Sequence, residues 1–195
     1  MAVINFMLHW GSTILHGADT SLLNLGGPSH RARPFLLTGK VCAKWPVIGL
    51  LALLVPAAAA ADEQQCLAEA MYYEARSQGW RGMLAVGVVI QNRVRDGRYP
   101  DNVCGVVRQG RYWRGNPVRH KCQFSYYCDG KPERPGEQKP WTTAQDLAHT
   151  LLTNRVEMAG LEDATHYHTT SVLPSWSRKL TFRQVIGQHV FYTEE

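Results

Sequence analysis

The sequence predicts an α+β fold, mainly α, with a small antiparallel sheet near the C-terminus. Three observations carry this. Residues 66–77 and 144–156 repeat apolar side chains at helical spacing. Residues 83–90 form an apolar run that exits into Gln91, Asn92 and Arg93, and residues 165–172 and 188–193 alternate as strands do. All of these lie within residues 62–195, about 134 residues, enough for one domain with a real core.

Residues 1–61 read as a leader. Lys40 and Lys44 flank the approach to a nine-residue apolar run at 47–55, and an alanine run ending at Ala61 offers small-residue cleavage sites before Asp62. That pattern predicts a secretory signal over about residues 41–61. A membrane span needs ~20 residues, so no stable span is expected once the signal is removed. Residues 1–40 lack periodicity, and the expected explanation is a misassigned start with initiation at Val41. The domain at 62–195 is thus expected to be exported, to the periplasm or cell envelope.

The formal charge of +5 overstates the basicity of that domain. Arg31, Arg33, Lys40, Lys44 and Asp19 lie in the leader, and residues 62–195 hold 17 Lys+Arg against 15 Asp+Glu, or +2. Nothing in this balance points to nucleic acid as a partner. One local run stands out: Arg108, Arg111, Arg114, Arg119 and Lys121 have no acid between them. It reads as a solvated basic loop at 108–121 or as a surface that attracts a polyanion.

Four cysteines remain beyond the leader: Cys66, Cys104, Cys122 and Cys128. An even number in an exported chain points to disulfides. The short spacing of Cys122 and Cys128 favours that pair, with Cys66–Cys104 as the other, although three connectivities are open. No C-x-x-C spacing supports a zinc site among them.

Taken in order, the first helix is expected over 63–77, stopping at Gly79 as a C′ residue. The second spans 82–94; its run is apolar on every side, which suits a central buried helix, with a buried strand as the alternative. Asp96-Gly97 marks a turn, and a short helical turn follows Pro100. Residues 122–130 form an aromatic loop, and the prolines of 131–140 mark a surface connection. The third helix is expected to begin near Thr142 or Thr143, with Thr143 and Asp146 as a variant capping box, and to end near Gly160. Its stripe is Ala144, Leu147, Ala148, Leu151, Leu152 and Val156. The two C-terminal strands are joined by a loop carrying Pro174 and Trp176.

One charge in the first helix is out of place. Leu67, Ala70, Met71 and Glu74 share a face at about 100° per residue, while Glu69 and Arg76 fall on the opposite, solvent-like side. A carboxylate taken into apolar surroundings loses hydration, its pKa rises, and it can donate a proton near neutral pH. Cleavage of a glycosidic bond requires such an acid. Pairing with an arginine or capping a helix is the purely structural alternative for Glu74. The many tyrosines and tryptophans of the domain suit sugar rings, though packing also explains several of them.

In order along the chain, "CLAEAMYYEAR", "GMLAVGVVIQNRV", "YPDNVCGVV", "CQFSYYCDG" and "IGQHVFY" resemble the SleB/CwlJ family of cell wall hydrolases, from Cys66 to Tyr192. The resemblance implies a compact lysozyme-like catalytic domain acting on peptidoglycan glycan strands as a monomer, without a cofactor. It makes Glu74, of the "EAR" motif, the catalytic acid. Family members often continue "EARGE"; here Ser77-Gln78 follows, so the second carboxylate is absent. A lytic transglycosylase can work with one acid that then serves as base. Asp129, in "CDG", is the alternative second carboxylate, although Asp-Gly is also a turn pair. Gln91, Asn92, Phe124, Ser125, Asp129, Tyr167 and Trp176 are the candidate substrate-binding residues.

Two rival readings stand beside this one. His166, His168 and His189 could hold a catalytic zinc, as in an amidase that cuts the muramyl–peptide bond. A non-catalytic peptidoglycan-binding module would use the same basic and aromatic loops but has no reason to bury Glu74.

Overall fold

Three helices that meet along small side chains form the frame of the domain. The computed structural model describes residues 57–195; the expected leader at 1–61 lies outside them as far as residue 56, including its apolar run at 47–55. Helix α1 (Ala57–Ala75) packs against α2 (Gly79–Arg95) and α4 (Gln138–Thr153), which also pack on each other. The expected cleavage point before Asp62 falls inside α1. Leu67, Ala70 and Met71 of α1, Met83, Val86, Val89 and Ile90 of α2, and Ala144, Ala148 and Leu151 of α4 are buried in one core. At Gly87, an added Cβ would stand 2.5 Å from Leu151 Cδ1 and 2.7 Å from Met71 Sδ, so all three helices converge there. The apolar run of α2 is helical rather than a strand, because it passes through the centre of this packing.

The predicted stop of α1 is close to what forms. Ala75 ends the α-helix, residues 76–78 make a 3₁₀ turn, and Gly79 at φ 68° redirects the chain into α2. Helix α3 (Val103–Val107) follows the turn at Asp96 and is tied to α1 by the Cys66–Cys104 disulfide. Glu63 of α1 accepts from the amides of Val103 (2.6 Å) and Cys104 (3.3 Å), and Asn102 caps the helix by accepting from Gly105 N.

Several sequence expectations need correction. The basic segment is not a loop but a hairpin, β1 (Gly110–Trp113) with β2 (Asn116–Cys122), turned at Arg114 (φ 49°) and Gly115 (φ 81°). Positive φ at both central residues is what a two-residue hairpin turn demands. Helix α4 starts at Gln138, four residues before Thr142, because Pro140 sits in the first turn, where its missing N–H costs nothing. Thr143 is therefore inside the helix and its hydroxyl donates back to Lys139 O rather than capping. The helix ends at Thr153, well short of Gly160; the side chain and amide of Asn154 both turn back to Thr150 O. Leu152 is exposed and Val156 lies beyond the helix.

The C-terminal sheet has three strands, not two. β3 (His166–Thr169) and β4 (Thr181–Ile186) both pair antiparallel with β5 (His189–Thr193), in the order β3-β5-β4. β4 occupies part of the expected loop and turns into β5 at Gly187 (φ 58°) and Gln188. A 3₁₀ turn at Ser175–Lys179 carries Trp176. The loop from α4 to β3 is held by Asn92, whose amide donates to Leu161 O (2.7 Å) and Ala164 O (2.8 Å). Among the described residues no helix is long and apolar enough to cross a membrane.

Asn92→Ala would leave the Ala164 carbonyl without its partner and the Leu161 carbonyl with only the Ala164 N–H, and is expected to cost about 1–3 kcal/mol, read as a lowered urea midpoint.

Candidate active site

Glu74 lies in the last turn of α1, where the helix end faces β3. Its face is the expected one: Leu67, Ala70 and Met71 are fully buried. Glu74 itself keeps some contact with solvent while protein crowds it on most sides, as for a group at the floor of a depression. This desolvation pushes its carboxyl up to about 7 from an ordinary 4.5. The Tyr167 hydroxyl on β3 donates to Glu74 Oε2 at 3.3 Å and opposes the rise, as does the positive charge of Arg93. No carboxylate is among the groups that shift Glu74.

Strand alternation decides which neighbours can join it. Tyr167 pairs with Phe191 and Thr169 with His189, so these four share the face turned to the helices. Tyr167 meets the His189 ring edge-on at 5.0 Å and Phe191 at 5.7 Å. His166 and His168 pair with Tyr192 and Val190 and therefore take the other face. The three imidazoles do not converge, as a zinc site would require. His168 Nε2 meets Tyr192 OH at 3.0 Å, His166 Nδ1 meets Thr165 Oγ1 at 3.0 Å, and His189 Nδ1 meets Gln78 Nε2 at 3.2 Å. Burial depresses both His166 and His189 to about 4, so both are neutral at pH 7.

Of the other candidates named from the sequence, Tyr167 alone touches Glu74. Trp176 belongs to the far side of the sheet, buried among His166, His168 and Tyr192. Phe124 is fully buried beneath the Arg93 guanidinium. Asn92 is a buried brace for the 161–164 turn. Asp129 Oδ1 accepts from Lys131 N at 2.8 Å, the turn role rather than a second carboxylate at the site. Gln91 and Ser125 are half-buried, and among the described residues the side-chain hydrogen bond to Glu74 comes from Tyr167 rather than from either of them. Cys122 and Cys128 are joined, and the loop they close holds Tyr126.

Three groups missed in the sequence complete the surroundings. Arg93 is 4% exposed, donates to Thr165 O at 2.7 Å, and covers the Tyr99 and Phe124 rings. It falls on the same face of α2 as Val86 and Ile90, so the reasoning that singled out Glu74 would also have found it. Tyr126 stacks on Tyr73 at 4.7 Å; both hydroxyls are buried without a partner, and Glu74 and Glu69 both act on the Tyr126 phenol. Gln78 stands where the resemblance would put the second carboxylate. Its amide accepts from Gln188 N at 2.7 Å and reaches His189, so it clamps the β4–β5 turn and leaves Glu74 alone.

Glu69 is not the solvent-side residue expected. It is half-buried, accepts from Gln65, and has its carboxyl raised by burial. The cause is tertiary: Tyr72, on the same face, accepts from Gly136 N and Glu137 N, and Arg76 pairs with Glu137 at 2.9 Å, so the 131–137 connection lies over that side.

Comparison with known proteins adds an independent line. The Cell Wall Hydrolase family matches residues 77–192, beginning three residues past Glu74. A spore cortex-lytic enzyme of Halalkalibacterium halodurans is 31% identical over 140 residues, 70% of this chain and 36% of that protein. Another, from Oceanobacillus iheyensis, is 39% identical over 57 residues, 29% of this chain and 21% of that protein. The chain therefore spans about a third or less of these relatives. Its fold is similar to the catalytic domain of the germination-specific lytic transglycosylase SleB from Bacillus anthracis, at TM-score 0.52 and 23% identity over 68% of this chain and 94% of that one. The catalytic domain of the Bacillus cereus SleB protein is similar at TM-score 0.50 and 22% identity, over 68% and 91%.

Folded Glu74 holds its proton more tightly than the unfolded chain does, so stability is lost as pH rises from about 4.5 through about 7. Glu74→Gln cannot ionise and is expected to exceed wild type by about 2 kcal/mol at pH 8 and to match it at pH 4, by thermal melts at both. Tyr167→Phe removes a donor that favours the ionised form; an NMR titration should place the Glu74 pKa above that of wild type.

Proposed function

The chain belongs to the Cell Wall Hydrolase family, and on that premise we propose that it cuts the glycan strands of peptidoglycan as a lytic transglycosylase, with Glu74 as acid and then base. The observation that carries this is a solitary carboxyl, raised to about 7, on which no second carboxylate acts. Glycosidases that deliver water or form a glycosyl-enzyme need two carboxyl groups. An intramolecular displacement needs one.

In the proposed sequence Glu74 protonates the oxygen linking N-acetylmuramic acid to N-acetylglucosamine, and the bond to C1 breaks. The carboxylate left behind takes the proton of the muramyl C6 hydroxyl, whose oxygen closes on C1. The product is a 1,6-anhydro end, no water is consumed, and Glu74 regains its proton. A pKa near the working pH serves both halves, since the group must give a proton and accept one back. The Tyr167 hydroxyl holds Oε2 and steadies the carboxylate between the steps. Arg93 supplies a positive field that keeps the ionised form accessible.

The fold shared with a domain named as a lytic transglycosylase supports the reading. Action on the wall requires export, and the two disulfides accord with an oxidising compartment such as the periplasm. The proposed chemistry asks for no second subunit, and the enzyme is proposed to work as a monomer.

Mass spectrometry of digested peptidoglycan is expected to find anhydro-muramyl ends with wild type and none with Glu74→Gln, whose rate should fall by roughly 10²–10⁴-fold. Reducing ends would instead indicate a muramidase or glucosaminidase, and freed stem peptides an amidase. The wild-type rate should decline above about pH 7 as Glu74 loses the proton it must donate.

A further inference from the structure

The hairpin of β1 and β2 carries Arg111, Arg114 and Arg119, which among the described residues pair with no carboxylate. Its pairing runs Gly110 with Cys122, Tyr112 with Pro117 and Trp113 with Asn116. Between the first two pairs β1 sets only Arg111 against residues 118–121 of β2. Arg119, His120 and Lys121 are thereby gathered beside Arg111, and His120 takes φ 57° to allow it. Gly110 makes the close approach possible, since a Cβ there would stand 2.8 Å from Lys121 O.

The base of this hairpin is firmly held. Tyr112 OH donates to Arg108 O at 2.8 Å and lies 3.4 Å from Tyr127 OH. Arg119 Nε donates to Asp129 O at 2.9 Å, and the Cys122–Cys128 disulfide closes the segment that follows. The outer part has no such ties. Trp113 is 69% exposed, with the Arg114 guanidinium 5.7 Å from its ring centre. Among the described residues, Arg108, Arg111, Arg114 and Arg119 form no ion pair with a carboxylate. Arginines without a carboxylate partner gain nothing from folding and an exposed indole stays hydrated, so neither feature helps the chain fold. Both become favourable against a partner that brings anions and flat apolar faces together.

We propose that this hairpin is a wall-anchoring surface, sharing no residue with the group around Glu74. Stem-peptide carboxylates of peptidoglycan pair with Arg111, Arg114 and Arg119, and a sugar ring of the same strand lies on Trp113. The inference rests on the wall being the substrate and extends it: the hairpin keeps the enzyme on an insoluble polymer between cuts. Its action is read as retention, not as chemistry at the scissile bond.

Sedimentation with purified sacculi tests it, using Glu74→Gln so that the polymer survives and retention is read whether or not the chain cleaves glycan. Trp113→Ala and the double variant Arg111→Glu/Arg114→Glu should each bind at least about fivefold more weakly, and the double variant should lose most of the salt dependence. Arg111→Lys/Arg114→Lys should retain most binding, and circular dichroism should show all variants folded. Sacculi stripped of stem peptides should bind wild-type hairpin as weakly as intact sacculi bind the double variant. In the otherwise wild-type chain, cleavage of short soluble glycan should stay within about twofold, which separates anchoring from catalysis. Undiminished binding by the variants, or undiminished binding to stripped sacculi, would overturn the proposal. So would equally strong hairpin-dependent binding to anionic phospholipid vesicles or to duplex DNA.

Discussion

The seating of the C-terminal sheet against the end of α1 decides the character of Glu74. An isolated helix would leave that carboxyl in water, with an ordinary pKa. The sheet and α2 remove most of that water, and Tyr167 and Arg93 return part of the stabilisation that hydration would have supplied. The group ends near neutrality because desolvation exceeds those two favourable interactions without overwhelming them. The native state tolerates an ionised form that it disfavours, and the proposed chemistry depends on this tension.

Much of the remaining architecture serves to hold the sheet in that position. Gln78 clamps the β4–β5 turn to the chain segment just past Glu74. Asn92 and Arg93, adjacent on α2, bind the carbonyls of Leu161, Ala164 and Thr165, and so fix the approach to β3. Tyr72 does the same for the 131–137 connection on the opposite side of α1. Polar residues inside the frame thus act as braces, each meeting backbone groups that no regular element satisfies. Asn92, read from the sequence as a residue of the cleft, serves as one of these braces.

The expectations that failed share a cause. His166, His168 and His189 were offered together as zinc ligands, but a strand sends successive side chains to opposite faces, and the register puts His189 on the face away from the other two, which pack with Trp176. Glu69 was placed in solvent by helical phase alone, and a loop from 62 or more residues away covers it. The basic segment lacked strand alternation because its second strand bulges over residues 118–121, which erases the period of two. Local pattern cannot report a covering segment, a bulge or the choice of face.

Neighbouring residues sufficed to place the three long helices, to turn Glu74 inward and to favour, without fixing, the burial of the second helix and the cysteine pairing that forms. These follow from periodicity and spacing, which are properties of neighbouring residues. Tertiary structure alone decided that Tyr167 meets Glu74, that Arg93 and Tyr126 join it, and that His189 faces away from His166 and His168. Those outcomes depend on how a sheet more than ninety residues downstream docks on the end of α1, and on which strand face it presents. A carboxyl's direction is set by the turn of helix that carries it; its pKa is set by whatever displaces its water.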